Sequence, residues 1–210
     1  MARKSEKAQK ESEPLKLFYI FYNKERWDNW ITTLAESDFS GDPDSDEMPE
    51  GFRVLQNFSL DIILSVLKII KLQQNGRYST EDALTKLEGV EEIVYSNPPE
   101  GEVVELVRSV QETIQVLFSS CKAYLNGEKA GDIKTLVKEG KKMGDKDPDK
   151  LLEIASSIGA SVIQGGSCCG KYLKDDMEEP TLFEEWLNTI DSMHEALTSL
   201  KNFDEEAGES

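Results

Sequence analysis

The chain has 210 residues, enough for one domain with a sizeable core and short for two. Its 41 acidic residues against 24 basic ones give a formal net charge of −17, which repels phosphate backbones and argues against direct nucleic-acid binding. The longest apolar concentration, LDIILSVLKIIKL, is interrupted by Asp61, Ser65 and Lys68 and is too punctuated to cross a membrane, and three cysteines make no disulfide framework.

The first residues are polar throughout and lack the apolar segment of a secretion signal, so a reducing cytoplasm is the expected home. Residues 1–14, rich in Lys, Glu and Ser, read as a disordered tail, residues 15–203 as one helical domain, and residues 204–210 as an acidic disordered tail. KLFYIFY has no second strand to pair with and is expected to dock on the helices as an extended segment.

From there the apolar residues follow a helical period. Asn23 is an N-cap, Tyr22 and Trp27 form a hydrophobic staple around it, and Trp27, Trp30, Ile31 and Leu34 make one stripe. An acidic loop ends this helix. A second helix is expected over 52–74, stopping at Asn75-Gly76. It is apolar over most of its circumference, which is the mark of a central, buried helix. A third, capped by Ser79 or Thr80, turns Ala83, Leu84, Leu87, Val90 and Val94 inward, and SNPPEG breaks it.

Spacings of three and four from Val103 to Tyr124 predict a fourth helix, ended by Asn126-Gly127. A Lys-rich fifth covers 133–143. Asp147-Pro148 caps a sixth, which carries Leu151, Ile154, Ala155, Ile158 and Val162 and stops at Gly165-Gly166. After a long connection, SCCGKYLKDDMEEP, the seventh helix has Phe183, Trp186, Ile190, Met193, Leu197 and Leu200 on one side. The expected fold is all-α, a single-domain bundle of about seven helices around a long hydrophobic one.

Trp30 and Trp186 share a local pattern: an aromatic residue three before, an aliphatic one after, then Thr and a further aliphatic. Both sit on helical stripes and are expected in the core. Two helices burying aromatic seams account for the pattern, and whether the seams meet stays open. Here the sequence resembles a family. FYNKERWDNWI, and EWLNTIDSM from Glu185, are similar to the two ends of an uncharacterised family of acidic archaeal proteins found in haloarchaea and methanogens. The resemblance spans residues 19–200 and implies a cytoplasmic archaeal protein of unknown function. It carries over no catalytic residues.

Candidate chemistry is sparse. Cys168 and Cys169 are adjacent; a disulfide between them would be strained, because consecutive Cα atoms are only about 3.8 Å apart, and so easily reduced, as a thiol redox or metal switch requires. His194, the one histidine, lies a turn after Asp191, but carboxylate–histidine metal sites in bundles need two such pairs. GGSCCGK lacks the spacing and the preceding strand of a phosphate loop. Glu88, Glu91 and Glu92 end one helix while Glu102 and Glu105 begin the next. Such pairs can hold Mg²⁺ against phosphates, as in all-α nucleotide pyrophosphohydrolases. Acidic residues in a first helical turn are also favoured by the helix dipole alone.

The reading favoured by this inventory is a non-catalytic acidic binding or adaptor protein with no cofactor, an unidentified and basic protein partner, and no nucleic-acid or membrane ligand. The Mg²⁺-dependent hydrolase and the thiol switch are the alternatives. The interface is expected in the connection before the last helix, where Tyr172 and Leu173 would anchor a basic partner beside Asp175, Asp176, Glu178 and Glu179.

Overall fold

A computed structural model describes residues 22–41, 47–96, 101, 103–129, 131–167, 170–172 and 180–208. Among them are seven α-helices, two short 3₁₀ turns and no strand. The helices are α1 (Lys24–Glu36), α2 (Glu50–Gln74), α3 (Thr80–Val94), α4 (Val104–Leu125), α5 (Ile133–Met143), α6 (Pro148–Ile163) and α7 (Leu182–Gly208). The last runs through the expected domain end at residue 203. The tail at 1–14 and the docking segment at 16–21 lie outside the described residues; Tyr22, which follows them, is buried.

Local chemistry starts most of these helices. Asn23 Oδ1 accepts from the Arg26 N–H at 2.8 Å. Ser79 and Asp82 make a reciprocal capping box at the start of α3. Asp132 caps α5 through the Thr135 N–H at 2.9 Å, and Asp147 caps α6 ahead of Pro148. Thr181 and Glu184 form a second reciprocal pair at the start of α7, where Lys141 of α5 also reaches Glu184 at 3.3 Å. Each cap satisfies amides that the helix itself leaves unpaired. Gly127 ends α4 at a φ of +72°, a conformation that costs other residues a Cβ clash.

The apolar faces then close one core. α2 buries Phe58, Ile62, Val66, Leu67, Ile69 and Ile70, and it touches α1, α3, α4 and α7. Each such side chain contributes about 1.5–3 kcal/mol on leaving water. Its apolar circumference predicts a central helix, and α2 is packed on several sides. In the structure it shares that position with α4, which touches α2, α3, α6 and α7 and makes the densest seam with α6. Small residues are the reason. A Cβ added at Gly159 of α6 would sit 2.0 Å from Ser120 Oγ, so the two backbones approach only because glycine stands there. Cys121, one residue along α4, is fully buried in the same core.

The two tryptophan seams are separate. Trp186 is 2% exposed, and its indole N–H donates to the Glu112 carbonyl of α4 at 2.9 Å. Trp27 is buried against Phe58 of α2, with ring centroids 5.6 Å apart. Trp30 was expected in the core beside it. It is half-buried instead, its ring tilted on Phe58 and its N–H turned to Asp61. A polar partner at the edge of the seam holds it at the boundary.

Candidate functional site

The residues singled out in the sequence do not converge. Glu91 is paired with Lys122 of α4 at 2.6 Å, and the exposed Glu105 with Arg108 at 2.9 Å. Glu88 and Glu92 are exposed on α3, and Glu102 lies outside the described residues. Among the described residues no group of three or more His, Cys, Asp or Glu side chains could hold a metal ion. His194 is half-buried on α7, while Asp191 lies so close to the turn at residues 170–172 that a Cβ on Gly170 would sit 2.2 Å from its Oδ2.

Cys168, Cys169, Leu173, Asp175, Asp176, Glu178 and Glu179 also lie outside the described residues. Tyr172 does not. It is half-buried, packs against the core, and has its carbonyl held by Lys141 Nζ at 2.7 Å. With Gly131, Asp132, Gly165, Gly166 and Ser167 it lines a hollow of about 590 Å³ beside the start of α5.

A feature the sequence reading missed runs along α2. Met48, Phe52, Leu55 and Gln56 line one depression with Val110 of α4, a space of about 340 Å³. Ser59 lines both this depression and the next, of about 230 Å³, whose other walls include Ile63, Thr113 of α4, and Glu185, Asn188 and Ser192 of α7. The two therefore lie end to end along α2, with Ser59 between them. Positions 52, 55, 59 and 63 follow each other at helical spacing on one face of α2, so the two hollows together line about 16 Å of it at ~1.5 Å per residue, roughly three helical turns.

Its two ends differ in chemistry. At one, Met48 is 52% exposed and Phe52 38%, and Phe52 is held edge-on by Phe39 with centroids 5.4 Å apart. At the other, partial burial and then the neighbouring Glu112 charge raise the Glu185 carboxyl above the ordinary carboxylate range. Two carboxylates thus face each other on adjacent helices, Glu185 half-buried and Glu112 exposed. The exposed apolar end and the unneutralised acidic end share one surface.

No helix among the described residues is long and apolar enough to cross a membrane. Residues 20–206 match a family described as an uncharacterized protein conserved in archaea (DUF2150), and the chain belongs to that family. No curated protein and no solved structure matches it.

Proposed function

We propose that this archaeal protein is a non-catalytic binding protein of the cytoplasm, and that the groove over α2 receives a basic, amphipathic segment of a partner protein. The observation that carries the reading is the placement, on either side of Ser59 along one face of α2, of an apolar hollow and a polar one walled by Glu185. Three helical turns of a partner would lay apolar side chains against Met48, Phe52 and Leu55, and a Lys or Arg against Glu185 and Glu112. Such a cation would relieve the repulsion between the two carboxylates, which an acidic or neutral partner would not. The net charge of −17 would speed the encounter and make it sensitive to salt.

The test is site-directed photo-crosslinking in archaeal cells. Crosslinkers replace Phe52, Asn188 and Tyr172 one at a time, and the captured peptide is sequenced. The proposal expects positions 52 and 188 to capture one segment, with the apolar side toward 52 and a basic residue toward 188. A segment captured only from position 172 moves the interface to the connection before α7. Capture of acidic segments, or none from 52 and 188, overturns the groove.

A further inference from the structure

α5 presents a face of opposite sign to the rest of this acidic chain. Its inward side is fixed by packing. Val137 is buried, Ile133, Leu136 and Met143 pack against the core, and a Cβ added at Gly140 would sit 2.1 Å from Phe183 Cζ of α7. Lys141 adds a polar tether, donating to the Tyr172 carbonyl at 2.7 Å and pairing with Glu184 of α7 at 3.3 Å. With one side held in this way, the outward side is determined.

At about 100° per residue, Lys134, Lys138 and Lys142 fall within an arc of roughly 80° on that outward side. All three are exposed, and none of their ammonium groups has an ion-pair or hydrogen-bond partner among the described residues. Glu139, the one acid of α5, lies outside the arc. Successive lysines are about 6 Å apart along the axis, so the three make a line of cations about 12 Å long.

Helix stability does not account for this line. Lys142 stands in the last turn, where the helix dipole favours a cation, but Lys134 stands in the first, where the dipole opposes one. Lysines four apart also repel each other mildly. A chain with 41 acidic residues leaves these three cations without a counter-charge.

We infer that the outward face of α5 is a second docking surface, and that it receives a short acidic segment of a partner protein. Carboxylates at every fourth position of a helix repeat at the same interval as the lysines, so three ion pairs can form in register. The length of the line sets the class of partner. Asp132 caps α5 just before it, and Asp147 caps α6 just past it. A nucleic-acid strand or an anionic membrane runs beyond both ends, onto those carboxylates and into the field of a chain at −17. A segment of about three helical turns stays within the line. This surface selects for the charge opposite to the one proposed over α2, so the two would take different segments.

The test is a titration of the full chain, followed by the backbone amide resonances of residues 133–143. The probe is a synthetic helical peptide about three turns long with three Glu spaced four apart. The control peptide has the same composition with the three Glu adjacent. Saturable shifts on α5 are expected with a Kd below about 1 mM, weaker for the control and weaker in high salt. Lys138→Gln should weaken binding about threefold, and Lys134→Gln/Lys138→Gln/Lys142→Gln at least about tenfold. Lys138→Arg, which keeps the charge, should bind as the wild type does. Equal affinity in the wild type and the triple Gln variant overturns the site, as does a shift that never saturates. Tighter binding of a single-stranded oligonucleotide or of phosphatidylserine vesicles overturns the acidic segment as its occupant. Shifts on α5 produced by raising the protein concentration alone overturn it in favour of a second copy of this chain.

Discussion

Trp30 Nε1 donates to Asp61 Oδ2 at 2.7 Å, and this bond makes the crossing of α1 and α2 a polar joint. Trp186, in the same local sequence pattern, donates instead to a main-chain carbonyl and is buried. The two should therefore respond differently. Trp186→Ala should cost ~3–5 kcal/mol, the range for emptying a large core site. Trp30→Phe should cost only about 1–2 kcal/mol, because its ring contact survives and one hydrogen bond to a charged group is lost. Urea melts of both variants measure this; equal losses would mean that Trp30 is a core residue after all.

The α4–α6 seam predicts a glycine that resists replacement. In a helix interior Gly→Ala alone is worth about 1 kcal/mol in favour of alanine. At Gly159 the new Cβ would meet Ser120 Oγ at 2.0 Å and Ser120 Cβ at 2.6 Å, so the sign should reverse. Gly159→Ala is expected to destabilise by about 1–3 kcal/mol, the range for overpacking. Ser120→Gly should recover part of that loss in the double variant. Additive effects of the two changes would remove the proposed contact.

Acid should loosen particular helix starts first. Hydrogen bonds from Ser79 hold the Asp82 carboxyl below its ordinary value of 3.8, and those from Thr135 do the same for Asp132. A depressed carboxyl contributes stability that is complete above its unfolded value and is lost as pH falls through the folded one. The first turns of α3 and α5 should therefore open below about pH 4. Amide exchange at residues 80–83 between pH 6 and pH 3 is the readout. In Asp82→Asn that pH dependence should vanish at α3 and persist at α5, and its persistence at α3 would show that another group sets it.

Lys68 should be a stability liability at neutral pH. Burial and then the Arg26 charge lower its pKa, with Asp61 pulling the other way. A base with a depressed pKa gives stability that is present above its unfolded value of 10.5 and lost as pH falls through the folded one. At neutral pH the charged side chain therefore costs stability. Lys68→Met should raise the thermal midpoint at pH 7, and the advantage should shrink toward pH 11. A variant that melts lower at pH 7 would contradict this sign.

Much of the architecture could be read in advance because its causes are local. The bounds of α5 follow from Asp132 at one end and Gly144, at a φ of +57°, at the other, and both are visible as residue types. The groove was not legible, for a physical reason. Phe52 and Leu55 belong to an apolar stripe that reads as core, and only the placement of α4 and α7 decides which part of a stripe is covered. Asp61 read as an interruption of an apolar run. Its partners, Arg26 and Trp30, are 35 and 31 residues away in the chain. Glu185 and Glu112 likewise become neighbours only when α7 packs on α4. Pairings of this kind carry no periodic signal.

Cys121 gives the molecule an internal clock. It is fully buried on α4, and burial pushes its thiol well above the ordinary range, so neither access nor thiolate is present in the closed core. Alkylating reagents can modify it only during excursions that part α4 from its neighbours. The rate at which the peptide carrying Cys121 becomes labelled under native conditions therefore counts those openings one by one, and a ligand that clamps the helices together would slow the count without touching the sulfur.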